Sequence, residues 1–105
     1  MFGPVPLGKW SALARGKEHD FLRIGHRYRV TRQFVDYDKA VHPPGEEWAF
    51  LGCSFVPYDD GMTFFVSLDG IQEWQIPLQW RREEQGEILD TPAEFLTEVP
   101  APGVV

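Results

Sequence analysis

A small, mainly β domain is what these 105 residues predict: one partly open antiparallel barrel of four to five strands, finished by a short C-terminal helix. Three observations carry that expectation. Apolar residues recur at period two in several runs, the pattern of half-buried strands. Clusters of Asp, Gly and Pro separate those runs, where tight reversals are needed. Hydrophobic residues make up 43% of the chain and aromatics 14%, which gives bulky side chains to one core and leaves too few residues for two ordinary domains.

Residues 1–20 mix Gly, Pro and charge around one apolar patch, Trp10, Ala12, Leu13 and Ala14, and read as a loosely ordered arm ahead of a single β domain over 21–99. The first strand runs from Arg27 to Phe34, with Tyr28, Val30 and Phe34 on one face and only Arg32 breaking it. Asp36 to Gly45 reads as a surface loop, because its Asp-Tyr-Asp and Pro-Pro-Gly suit neither helix nor central strand. Trp48 to Val56 is apolar on both parities, as in a strand covered on both faces or one that switches faces through a bulge at Gly52. Met62–Leu68 and Gln72–Trp80 form a hairpin. A loop of Leu68, Asp69 and Gly70 aligns their apolar sets, setting Phe64 against Trp74 and Met62 against Ile76. Arg81 to Asp90 reads as a charged turn in which Ile88 and Leu89 can add a short strand. Thr91 then caps a short helix to about Val99, with Pro92 in its first position and Glu94 reaching back, and 100–105 form a flexible tail.

Net charge is −6, unevenly spread. Met1 to Gln33 holds seven Lys or Arg against Glu18 and Asp20, for +5, and the remainder holds three against fourteen acids, for −11. An acidic body repels phosphate backbones, so nucleic acid is not the expected partner. The plainest use of the asymmetry is neutralisation within the fold, basic strand beside acidic loops. A single cysteine, Cys53, excludes an intramolecular disulfide, and no apolar run is long enough to span a bilayer. A cytoplasmic setting with no membrane contact is expected.

The densest functional signal is Phe-Val-x-Tyr-Asp, present at Phe34–Asp38 and again at Phe55–Asp59, with His42-Pro43-Pro44-Gly45-Glu46-Glu47-Trp48 between the copies. Candidate binding residues are Asp36, Tyr37, Asp38, His42, Glu46, Glu47, Trp48, Tyr58, Asp59 and Asp60, with Trp48 expected to be partly exposed. An imidazole among carboxylates could instead hold a divalent ion that activates water, which makes a metal-dependent enzyme built on His42, Asp36, Asp38, Asp59 and Asp60 the alternative. Against it, no second histidine stands at ligand spacing, and aspartates open turns by bonding nearby backbone N–H groups. Cys53 lies in the most apolar strand, where a thiol is usually inert, and neither a nucleophile elbow nor a phosphate loop is present. No cofactor and no catalytic residue is expected.

The string Phe34-x-x-Tyr37-Asp38, His42-Pro43-x-Gly45-Glu46-x-Trp48-x-Phe50-Leu51-Gly52, Pro57-Tyr58-Asp59-Asp60-Gly61 and Gln79-Trp80-Arg81 resembles a bacterial family known as domain of unknown function 3601, over roughly Gly25 to Val99. The resemblance implies a small stand-alone bacterial protein and brings no activity, cofactor or catalytic residue. The strand pattern, long first connection and tight later turns are also those of a small SH3-like barrel. The functional expectation is a non-enzymatic module that presents an acidic and aromatic loop surface to a basic protein partner, in a regulatory or toxin-neutralising role. A structural or accessory domain is the third reading.

Overall fold

The computed structural model describes residues 1–100. In chain order it contains β1 (Phe2–Pro6), a 3-10 turn (Ser11–Ala14), β2 (Arg27–Val30), β3 (Phe34–Val35), β4 (Val41–His42) and β5 (Glu47–Val56). A second 3-10 turn (Pro57–Asp59), β6 (Gly61–Ser67), β7 (Gln72–Gln79), α1 (Gly86–Asp90), a third 3-10 turn (Pro92–Glu94) and β8 (Leu96–Val99) follow. Six strands form one antiparallel sheet in the order β1-β7-β6-β5-β2-β8, and β3 pairs with β4 as a separate hairpin. The sheet stays partly open, since β1 and β8 are its two edges.

Period-two alternation puts the core on one face. Tyr28, Val30, Trp48, Phe50, Met62, Phe64, Val66, Ile76 and Leu78 are buried there, covered by Leu22, Ile88, Leu89 and Phe95. The long apolar strand switches faces as its sequence suggests. Gly52 has φ +134°, the β5–β6 register shifts between Phe50 and Gly52, and burial passes from Trp48 and Phe50 to Cys53. The strand expected over Arg27–Phe34 breaks at its one discordant residue. Thr31 and Arg32 donate their N–H groups to the Phe95 carbonyl, and the Arg32 guanidinium lies 4.4 Å from the centre of the Phe95 ring.

Three expectations are corrected. In the β6–β7 hairpin the apolar faces align, but Phe64 lies opposite Ile76 and Val66 opposite Trp74, two residues from the expected register. Asp69 Oδ1 accepts the N–H groups of both Ile71 and Gln72, which makes Asp69 the opening residue of the reversal. The helix expected from Thr91 stops after one 3-10 turn. Thr91 directs its hydroxyl to the Glu87 carbonyl instead of capping, and Leu96–Val99 pairs with β2 as an edge strand. The only α-helix among the described residues is α1, and it contains Ile88 and Leu89.

The first twenty residues, loosely ordered by composition, carry an edge strand paired to β7 and a 3-10 turn laid on the sheet's second face. Glu73 holds that turn: its buried carboxylate accepts the N–H groups of Gly8 and Ser11 and the Ser11 hydroxyl. Of the expected flexible tail, residues beyond Pro100 lie outside the described residues.

Candidate functional site

The loop after β3 is not all loop. Phe34 and Val35 pair with His42 and Val41, so the segment folds back into a hairpin with two faces. Phe34 and His42 point inward and stack, ring centres 4.6 Å apart and planes within 12°. Val35 and Val41 point outward and are exposed. The hairpin continues the edge of β7 where β1 ends: β1 pairs with β7 over Gln72–Gln75, and Tyr37 N–H then donates to the Pro77 carbonyl at 2.8 Å. Gln85 finishes the edge. Its Oε1 accepts Gln79 N–H, its own N–H donates to the Gln79 carbonyl, and its Nε2 donates to the Val35 carbonyl.

At the hairpin's base His42 is fully buried, with Nε2 2.8 Å from Asp36 Oδ2 and Nδ1 2.5 Å from Glu46 Oε2. Each carboxylate has further donors. Asp36 Oδ1 accepts the N–H groups of Asp38 and Ala40, Asp36 Oδ2 lies 3.0 Å from the Met1 amino group, and Glu46 Oε2 accepts the Trp48 indole N–H at 3.2 Å. Burial alone would lower the His42 pKa, but the bonds from Glu46 and Asp36 outweigh it and the net shift is upward. Burial likewise acts to raise the Asp36 pKa, and the bond to His42, the Met1 amino group and Ala40 N–H together bring it below the usual carboxylate value. The two shifts agree in direction, and both favour the ionic form of the pair.

The structure sorts the sequence candidates into an inward and an outward set. Asp36, His42 and Glu46 form the buried triad. Trp48 has no exposed surface, against the expectation of partial exposure, because it shares the inward parity of Phe50 and satisfies its N–H on Glu46. His42 belongs to a strand and to the interior, not to a surface loop. Glu47 is taken by Arg27 at 3.2 Å and Arg29 at 2.9 Å, its pKa lowered by the bonds from Arg29 and Arg27, which is the neutralisation anticipated from the charge asymmetry. Asp60 is taken by Arg81 at 3.3 Å.

Tyr37, Asp38, Tyr58 and Asp59 face outward. Tyr58 is 91% exposed at the crest of the 3-10 turn between Pro57 and Asp60, whose φ of +57° is left-handed. Asp59 Oδ1 fastens that turn by accepting Gly61 N–H. The turn lies two rungs along the β6–β7 ladder from the place where Tyr37 docks, Gly61 pairing with Gln79 and Thr63 with Pro77. The repeated sequence phrase thus ends on one rim, with the Arg81–Gln85 segment between its copies.

Three contributors are not visible in the sequence. Val35 and Val41 add exposed apolar surface, which only the β3–β4 register reveals. Gln85 is buried among charged neighbours, and no pattern in the sequence marks it. Beside the hairpin a cleft of about 410 Å³ is lined by Phe34, Val35, Lys39, Arg82, Gln85 and Phe95 among others.

As a metal centre the cluster has the wrong geometry. Both His42 nitrogens are committed to carboxylates, and among the described residues no group of three or more His, Cys, Asp and Glu is placed to hold an ion. Cys53 is buried with its thiol pKa pushed up by that burial, the condition of an inert thiol. Among the described residues no helix is long and apolar enough to cross a membrane.

Among solved structures, an integron cassette protein from the mobile metagenome of Vibrio cholerae is similar to the chain. It is 33% identical, with a TM-score of 0.80, and the match covers 88% of this chain and all of that one. No curated protein matches. The family described as Domain of unknown function (DUF3601) matches residues 14–100, a span that takes in both copies of the repeated phrase, the buried triad and the closing strand, and the chain belongs to that family.

Proposed function

We propose that the protein is a non-enzymatic binding module that engages a basic protein partner through the rim formed by the β3–β4 hairpin and the Pro57–Asp59 turn. The observation that carries this reading is Tyr58, a large amphipathic side chain held almost wholly in solvent on a turn fixed by a proline, an aspartate cap and a left-handed residue. Tyrosines give contact area at low entropic cost, and they are enriched at protein interfaces. Val35, Tyr37 and Val41 extend the apolar contact on the hairpin, while Asp38 and Asp59 supply negative charge within a chain of net charge −6. Such a surface steers and orients a basic partner.

The test is affinity capture from a lysate of the source organism with the wild type, a Tyr58→Ser variant and an Asp38→Lys/Asp59→Lys variant. All three side chains are exposed and lie outside the core; because Asp59 also caps its turn through Gly61 N–H and Asp38 meets the Met1 amino group, the charge variant is compared only after its thermal unfolding is shown to match the wild type. The reading expects at least one protein held by the wild type to be depleted tenfold or more by both variants. Retention of every captured protein by both would rule the rim out as the binding surface.

A further inference from the structure

A neutral imidazole has one N–H and one lone pair. In this structure both His42 ring nitrogens stand within 2.8 Å of carboxylate oxygens in a buried site, so each contact needs a proton, and with both carboxylates ionised both nitrogens donate. Loss of either proton would aim a lone pair at a carboxylate at hydrogen-bond distance with no water between them, a repulsive contact the site relieves only by moving.

The two carboxylates are not equivalent. Asp36 has no exposed side chain and is held by Asp38 N–H, Ala40 N–H and the Met1 amino group. Glu46 is 18% exposed, sits in the Pro43–Glu46 turn and has only the Trp48 indole as a further donor. Asp36 therefore keeps the remaining proton on Nε2, and Glu46 is the group that turns to water. These are the titratable groups around the imidazole: Asp36 on the turn after β3, Glu46 ahead of β5, and, through Asp36, the Met1 amino group and Asp38. The face supplied by Phe34 carries no charge.

We propose that Asp36, His42 and Glu46 form a proton-operated latch that fastens the β3–β4 hairpin to the turn entering β5 while His42 carries both ring protons, and that lets go of Glu46 when one is lost. β4 has only two residues paired with β3, so few other bonds hold it once Glu46 departs. Glu46 and Asp36 move the release upward from the ordinary imidazole value. The latch itself stands on the geometry alone. Its consequence for Val41 and Tyr37 as contact residues rests on the binding reading above.

Two NMR readouts follow the latch without any ligand. One is the Trp48 indole N–H resonance, which reports the bond to Glu46. The other is the hydrogen-exchange protection of the Gly45 amide, which donates to Val30 beside the latch. The latch expects the Trp48 resonance to shift with the His42 midpoint and Gly45 protection, corrected for intrinsic exchange, to fall at least tenfold across it, while Phe64 and Phe65 in β6 stay constant. Glu46→Gln serves as the folded control, since its amide meets either form of the imidazole as acceptor or donor; Gly45 protection is the readout there, because the Trp48 N–H shares the oxygen that faces Nδ1. In that variant the step should vanish. A Trp48 resonance and a Gly45 protection that are flat through the His42 midpoint, or an equal step in Glu46→Gln, would overturn the latch. Neither outcome bears on whether Tyr58 binds a protein.

Discussion

His42 is the residue on which the site turns, and the sequence shows its presence without its role. A histidine before two prolines, among aspartates, reads as a loop residue or a ligand; only the pairing of β3 with β4 brings it inward, onto Phe34 and between two carboxylates. Its neighbours were legible to different degrees. Asp36 and Asp59 do cap turns through backbone N–H groups, as short acidic side chains in Gly- and Pro-rich stretches do. Trp48 was misplaced, because the charges of Glu46 and Glu47 suggested a wet loop exit where parity with Phe50 governs. Removing the imidazole strands two carboxylates beside the core, and breaking a buried ion pair by deleting one partner costs about 3–5 kcal/mol. His42→Ala should therefore lower the unfolding free energy by about that amount in urea denaturation. A loss below about 1 kcal/mol, the level of an exposed pair, would mean that the triad is solvated.

At the scale of elements, pattern was readable where one face is buried and misleading where an element is short. Three of the four long alternating runs are strands within a residue of their expected limits, the first stops at Val30 instead of reaching Phe34, and the Gly52 bulge is visible as apolar residues on both parities. In Leu96–Val99 apolar residues three apart fit a helical face as well as an edge strand. What decides is β2, whose free edge accepts it. The β6–β7 register was missed by two residues because alternation fixes faces but not rungs; the side chains of Asp69 and Ser67 fix the rung. Gly52 carries a close contact between β5 and the first 3-10 turn. A Cβ there would lie 2.8 Å from that of Ala14, and φ of +134° disfavours any side chain. Gly52→Ala should cost about 1–3 kcal/mol from overpacking, in addition to backbone strain. Ala14→Gly in the same chain should recover the steric part and leave the backbone part, which a double-mutant cycle reads as coupling. Strict additivity would show that the 3-10 turn does not rest on the bulge.

For the whole molecule, charge is used chiefly inside the fold. Glu47 neutralises Arg27 and Arg29, Glu87 meets Arg32, Asp60 meets Arg81, and the triad absorbs two more acids. Such a division cannot be seen along a sequence, because it depends on which strands become neighbours. It also shapes the dependence of stability on pH. His42 is raised in the fold, so its contribution is complete below the ordinary value of 6.5 and is lost as pH climbs from there through the folded value. Asp36 is lowered, so its contribution is complete above the ordinary value of 3.8 and is lost as pH falls from there through the folded value. From these two groups, unfolding free energy should be level between 3.8 and 6.5 and decline on either side, with the alkaline decline weakened in Glu46→Gln. The central claim, that a doubly protonated histidine joins the hairpin to the sheet, is tested most directly by following the two ring nitrogens of His42 by ¹⁵N NMR from acid to alkaline pH. Both should carry protons up to pH 6.5, with the midpoint above that value; one nitrogen already largely unprotonated at pH 6.5, with a midpoint at or below it, would contradict the claim.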